Sequence, residues 1–201
     1  MDIQRILSCQ KPLELLQEWI MEAQQASQIS EPTAMILASA SPQGEVTTRT
    51  LLLKELGPEG LIFYSNYQSE KGRQLAENPQ ASLHFYWDPL FRQVRIQGTV
   101  QKLSRQKSET YWRSRDRESQ LSQWVSRQSE PLEEGKSLDQ LVQEARNQHE
   151  GREVPCPKHW GGYLLKPELM EFWVGRPHRL HDRVRFLRQD QNLWKSQQLY
   201  P

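Results

Sequence analysis

Cationic side chains near the C-terminus have a spacing that could hold a ligand. Arg179, His181 and Arg183 alternate with other residues, so in an extended strand all three side chains would point to one face. Such groups repel one another unless an anion or an electron-rich planar ligand lies among them. Trp173, just upstream, offers a flat apolar wall for such a ligand. The alternative is a purely structural pairing of His181 with Asp182.

A second group of polar side chains has helical spacing. Tyr111, Arg115 and Ser119 follow one another at intervals of four residues, which makes them neighbours on a helix. A phenol, a guanidinium and a hydroxyl together would bind a phosphate group well. An interacting pair on a solvated helix face is the alternative interpretation.

Three further segments could contribute to a site for an anionic or flat ligand. Ser69 is typical of an N-cap, and the free N–H groups of the helix it would begin favour an anion, to which Lys71 could add a positive charge. Arg49 and Lys54 are five residues apart, so both could reach one ligand only if the strand bends or bulges. Gln93 offers both a donor and an acceptor, which suits the pyrimidine edge of a flavin. Solvated surface residues are the alternative in each case.

The elements that must position these residues are mostly strands joined by tight turns, which favour antiparallel pairing. The pattern predicts strands over residues 34–38, 45–54, 61–65, 81–87, 93–103, 183–188 and 193–199, with a hairpin over 161–173 that turns at 166–168. It predicts helices over 12–26, 70–78, 104–115 and 137–151, and a helix or loop over 119–129. The fold class is therefore α+β: a small, mainly β, antiparallel barrel flanked by helices.

Composition narrows the function class. The 201 residues suffice for one domain with a core. A net charge of +1 gives no bulk field for nucleic acid, so anion binding must come from local clusters. No apolar run approaches the roughly 18 residues that a membrane span needs, and the N-terminus lacks a secretory pattern; a cytoplasmic protein is expected. Cys9 and Cys156 lack a spacing typical of zinc, so no metal site is predicted.

Taken together, these segments resemble the pyridoxamine/pyridoxine 5′-phosphate oxidase family from about Trp19 to Pro201. The matching stretches are 31–35, 49–54, 63–66, 78–79, 92–95, 114–115, 126–129, 160–162, 171–173, 179–183 and 199–201. The resemblance implies a split β-barrel that binds flavin mononucleotide (FMN), in a homodimer with FMN at the subunit interface. Residues 1–201 would form one domain, with an N-terminal helical segment at 1–28 and, at 160–201, a C-terminal hairpin and strands that complete the site.

The resemblance also implies an activity and a set of site residues. The family oxidises the 4′ carbon of pyridoxamine or pyridoxine 5′-phosphate to the aldehyde, and O2 reoxidises the flavin to give H2O2. By position, the residues implied to bind FMN are Arg49, Lys54, Tyr64, Ser65, Lys71, Gln93, Gln128, Ser129, Trp173 and Arg183. Those implied to bind substrate are Lys54, Tyr111, Arg115, Ser119, Arg179 and His181, of which Arg179 and His181 would be catalytic.

The chain departs from the family pattern at three places. Glu70 stands where the family usually has an arginine that contacts the FMN phosphate, Asp116 where it has proline, and Ser122-Gln123 where it has Gly-Ala. The N-terminal extension is also short. Two alternatives remain open: a related flavin oxidase of phenazine biosynthesis, which shares the stretch 126–132, and a non-catalytic carrier of FMN or pyridoxal phosphate.

Overall fold

A computed structural model of the protein describes residues 3–190 and 193–201. Nine strands form one antiparallel sheet in the order β2-β1-β5-β6-β7-β4-β3, and β8 pairs with β7 and β9 with β8. The strands are β1 Ala34–Ala40, β2 Val46–Leu52, β3 Glu55–Gly57, β4 Gly60–Asn66, β5 Gln80–Trp87, β6 Arg92–Lys102, β7 Trp160–Val174, β8 Asp182–Arg188 and β9 Trp194–Leu199. The antiparallel, mainly β architecture confirms the prediction.

The predicted hairpin over 161–173 is wrong, because β7 is one continuous strand of 15 residues. β6 pairs with it from Tyr163 to Val174. The register shifts where Gln97 opposes Leu169 and Gly98 opposes Pro167, which leaves Glu168 as an extra residue on β7. The turn-like residues therefore form a bulge, one of the few places where a sheet tolerates proline.

Helices flank the sheet: α1 Ile3–Leu7, α2 Pro12–Gln25, α3 Glu70–Glu77, α4 Arg105–Ser114, α5 Arg117–Val125 and α6 Leu138–Gln148. The predicted caps are confirmed, since the hydroxyls of Ser69 and Ser137 accept hydrogen bonds from Gly72 N–H and Gln140 N–H. The segment 119–129, predicted as helix or loop, is helical in α5 as far as Val125 and a loop beyond it. α1 was not predicted. No helix in the described part of the chain is long and apolar enough to cross a membrane.

The two faces of the sheet differ sharply. One face carries cross-strand neighbours that are all fully buried, Leu37, Leu83, Ile96, Met170 and Phe186. Each contributes about 1.5–3 kcal/mol by burial, and Trp19 of α2 packs edge-on against Phe172 at 5.0 Å on this side. The opposite face is partly uncovered, with Ile36 and Tyr86 exposed by 42% and 54%.

Candidate functional site

The N-terminus of α3 brings together several of the predicted cofactor residues. Lys71 Nζ donates to Gln128 Oε1 at 3.0 Å and to Ser69 Oγ at 3.2 Å. The Glu70 backbone N–H donates to Ser129 Oγ at 3.2 Å. Ser129 has a left-handed backbone, with φ of 75°, a conformation that is uncommon for residues other than glycine. The loop after α5 therefore holds a hydroxyl against the first turn of α3.

Arg49 reaches the same helix start from β2. Its guanidinium donates to Ser39 Oγ and to Thr47 Oγ1, each at 2.6 Å, and Nη2 lies 3.3 Å from Glu70 Oε2. Burial, followed by the positive charge of Arg49, lowers the pKa of Lys71 to about 8. The cations Arg49 and Lys71 thus lie beside the N-terminus of α3, an arrangement that favours a bound anion. The carboxylate of Glu70 already lies within it.

A stack of aromatic rings forms the second part of the site. Tyr64 of β4 lies parallel to Tyr111 of α4, with ring centroids 3.8 Å apart, and 5.4 Å from Trp160. A Cβ at Gly162 would lie 2.9 Å from Tyr64 Cε1, so glycine allows the ring to lie flat on β7. Burial, followed by the carboxylate of Glu55, raises the pKa of Tyr64 to about 12, so its hydroxyl stays protonated at neutral pH.

Arg115 joins this stack. Its guanidinium carbon lies 5.0 Å from the Trp160 ring centroid, and Nη2 donates to the Ser119 backbone carbonyl at 3.3 Å. Its Nε is buried without a hydrogen-bond partner. Tyr111, Arg115 and Ser119 are therefore together, although not on one helix: α4 ends at Ser114 and Asp116 caps α5 by accepting from Ser119 N–H at 2.8 Å.

Lys54 and Ser65 come from the β2–β3 connection and from β4. β2 ends at Leu52 and β3 begins at Glu55, so exposed Lys54 stands at a break between strands. Its backbone N–H donates to Ile62 O at 2.9 Å. The strand predicted over 45–54 therefore ends at Leu52, two residues before Lys54, and the chain is extended again in β3 from Glu55. Ser65 is buried in β4.

The third group of predicted site residues lies on the outer face of the sheet, the partly uncovered face that also carries Ile36 and Tyr86. Gln93, Trp173 and Arg183 oppose one another across β6, β7 and β8, so their side chains share that face. Gln93 Oε1 lies 3.1 Å from His84 Nε2. Because an amide oxygen only accepts, the geometry assigns the proton to His84 Nε2 and turns the Gln93 NH2 group away from it.

Glu171 is a buried charged residue beside Arg183 that the sequence patterns did not single out as a candidate. Its side chain is 4% exposed and accepts from Arg183 at 2.7 Å and Arg95 at 2.8 Å, with Arg185 at 3.5 Å. Burial alone would raise the pKa of Glu171, but the hydrogen bond from Arg183 and the three positive charges outweigh it and lower the pKa. The only sequence signal was an acidic residue within the apolar run Leu169–Phe172. With three guanidiniums around one carboxylate, the cluster keeps a net positive charge.

The interpretation of Arg179, His181 and Arg183 as one strand face is wrong. Only Arg183 lies in a strand; Pro177–Arg179 form a 3-10 turn, and Arg179 has a left-handed φ of 61°. His181 follows this turn, with its ring centroid 4.6 Å from that of Trp173. The Arg176 backbone N–H donates to His181 Nδ1 at 3.1 Å, which assigns the ring proton of the neutral imidazole to Nε2.

Family models and curated relatives point to the same protein family. A sequence model described as "Pyridoxamine 5′-phosphate oxidase" matches residues 21–149, and one described as "Pyridoxine 5′-phosphate oxidase C-terminal dimerisation region" matches 160–201. The pyridoxine/pyridoxamine 5′-phosphate oxidase of Microcystis aeruginosa is 44% identical over 94% of this chain and 88% of its own length. The enzyme of the same name from Bartonella henselae is 41% identical over 97% and 95% of the two chains.

Solved structures show the same fold. PhzG from Burkholderia lata, crystallised with tetrahydrophenazine-1-carboxylic acid, has a TM-score of 0.89 and 32% identity over 96% of this chain and 94% of its own. A pyridoxamine 5′-phosphate oxidase-related, FMN-binding protein from Nostoc punctiforme has a TM-score of 0.75 at 18% identity, over 94% of this chain and 96% of its own. The predicted split-barrel fold is confirmed.

Proposed function

The chain belongs to the pyridoxamine 5′-phosphate oxidase family, and from this premise we propose that it is an FMN-dependent oxidase of phosphorylated vitamin B6 compounds. The amine substrate would react with O2 and water to give pyridoxal 5′-phosphate, ammonia and H2O2; the alcohol substrate would react with O2 to give the aldehyde and H2O2. The observation that carries the proposal is the presence of two separate groups suited to phosphate, one at the start of α3 and one around Arg115.

The start of α3 fits the phosphate of FMN. Arg49 and Lys71 supply positive charge, Ser129 supplies a hydroxyl, and the helix supplies N–H groups with a favourable dipole. Gln93, Trp173 and Arg183 fit the flavin ring, since they offer an amide edge, a flat wall and positive charge on one face. Bound FMN would supply the hydride chemistry, so the protein's own task is to bind and orient.

The second group fits the substrate phosphate. The Arg115 guanidinium is held between Trp160 and the Ser119 carbonyl, with a buried Nε that lacks a partner. The Tyr111 hydroxyl and Lys54 would complete the contacts. We propose that Arg179 and His181 hold the pyridine ring, His181 by donating from Nε2, because its Nδ1 already accepts from Arg176. Catalysis is then mainly positioning.

We propose that the active unit is a homodimer. Arg49 pairs in register with buried Leu37 and so projects to the core side, whereas Gln93 and Trp173 project to the outer face. The sheet separates these residues within one chain, so a flavin bound at Arg49 would need a second copy to supply the ring contacts. The partly uncovered outer face, and the match of residues 160–201 to a dimerisation region, support this arrangement.

The test starts with an absorbance spectrum of the purified protein, followed by addition of pyridoxamine 5′-phosphate in air. Flavin absorbance, peroxide release and the aldehyde product are expected. A flavin-containing protein that releases no peroxide with this substrate would contradict the proposal. It would favour the carrier alternative or an oxidase with another substrate, as the likeness to PhzG allows.

A further inference from the structure

Glu70 places a negative charge among the groups proposed to bind the cofactor phosphate. Its carboxylate lies 3.3 Å from Arg49 Nη2, and it is the one carboxylate in an ion pair with Arg49 among the described residues. The remaining contacts of the guanidinium, to Ser39 and Thr47, are with neutral oxygens. Arg49 is 16% exposed and fixed, whereas Glu70 is 50% exposed. Glu70 is therefore the partner that can move.

The charges show why it would have to move. Without a ligand, Glu70 offsets part of the charge of Arg49 and Lys71, and a carboxylate in the first turn of α3 also complements the helix dipole. A phosphate monoester carries a charge of about −1.5 to −2 at neutral pH. Two cations suffice to balance that charge, so the carboxylate becomes an excess negative charge beside it.

We propose that Glu70 is a built-in competitor of the cofactor phosphate, bound to Arg49 in the flavin-free chain and displaced when FMN binds. This inference rests on the proposed function, since it takes the start of α3 as the phosphate site. The carboxylate makes FMN binding weaker than the cations alone would allow. It has no such effect on riboflavin, which has the same ring system and no phosphate, so Glu70 reduces the preference of the site for the phosphorylated flavin.

The test compares FMN and riboflavin in titrations followed by flavin fluorescence, using flavin-free wild type, Glu70→Gln and the control Glu77→Gln. Glu77 is exposed in the last turn of the same helix, so its variant removes the same charge away from the site. Glu70→Gln is expected to bind FMN about tenfold more tightly, equivalent to about 1.4 kcal/mol. Its riboflavin affinity, and both affinities of Glu77→Gln, are expected to match wild type.

The other outcomes distinguish a failure of this inference from a failure of the proposed function. Unchanged FMN affinity in Glu70→Gln, or an equal gain for riboflavin, would overturn the competitor role while leaving an FMN-dependent oxidase intact. FMN binding by none of the three proteins would overturn the proposed cofactor and this inference with it. The variant is isosteric at a half-exposed position, and a far-ultraviolet spectrum matching wild type establishes that it folds.

Discussion

Replacing Glu171 by a neutral residue should destabilise the fold more than neutralising any other carboxylate on β7. Glu171 is 4% exposed and lies within 3.5 Å of three guanidiniums. Breaking a buried ion pair from one side costs about 3–5 kcal/mol. The three arginines are 26–43% exposed, so water can solvate them in part, and glutamine keeps one acceptor. We therefore expect Glu171→Gln to cost about 2 kcal/mol, somewhat below that range.

For a chain of this size, such a loss corresponds to a decrease in Tm of about 4–8 °C. Thermal unfolding followed by circular dichroism at one fixed protein concentration measures it, since a dimer's Tm depends on concentration. Glu168→Gln is the matched control: Glu168 is exposed on the same strand and accepts from the neutral Thr99 hydroxyl. A Tm for Glu171→Gln within about 1 °C of that control would refute the reasoning.

The same ion cluster predicts a direction of pH dependence. The pKa of Glu171 is lower in the folded chain than its ordinary value of 4.5. A carboxyl group with a lowered folded-state pKa stabilises the fold above its unfolded-state pKa, and this stabilisation disappears as the pH falls through the folded-state value. The Tm difference between wild type and Glu171→Gln should therefore be full at pH 7 and shrink below pH 4.5.

Further expectations concern binding, turnover and assembly. Arg179→Ala and His181→Ala should each keep FMN bound while turnover falls more than about tenfold, since the loss is one of substrate positioning; near-normal turnover in both would contradict their assignment. FMN affinity should fall as the pH rises through about 8, where the buried Lys71 ammonium loses its proton, and Lys71→Met, titrated with FMN at pH 7 and at about 9.5, should bind weakly at both. Sedimentation should show a dimer at micromolar concentration, and an FMN-loaded monomer would contradict the two-chain site.

The sequence patterns predicted correctly those features of the fold that depend on interactions between residues close in the chain. The N-caps at Ser69 and Ser137 and most strands were predictable because capping and alternation depend on neighbouring residues. The hairpin prediction failed because Pro167 and its neighbours suit a turn and a bulge equally, and the register of β6 decides between them. The role of Glu171 was hidden for a similar reason, since its arginine partners come from β6 and β8.

The C-terminal cluster shows a different limit. Its alternating spacing predicted one strand face, but the chain leaves the extended conformation at Pro177, and His178 and Arg179 both adopt left-handed backbone. Such residues cost about 1–3 kcal/mol each and persist only when the surrounding structure enforces them. Here the Arg176–Asp182 ion pair at 2.7 Å closes the loop. Spacing predicted which residues are candidates for the site, and only the tertiary contacts give their orientation.

The departures from the family pattern are of two kinds: some are compensated by a nearby interaction in this chain, and others are not. Asp116, where the family has proline, caps α5 through Ser119 N–H at 2.8 Å; such a cap contributes about 1 kcal/mol. The cap fixes the chain between Arg115 and Ser119. Glu70 differs, because its partner Arg49 is itself a proposed ligand-binding group. A change that only shapes the backbone can be offset by a nearby hydrogen bond, whereas a change of charge beside a binding group alters affinity directly. We therefore expect the departure at Glu70 to alter the affinity for the proposed cofactor FMN, and the departure at Asp116 to leave the local fold in place.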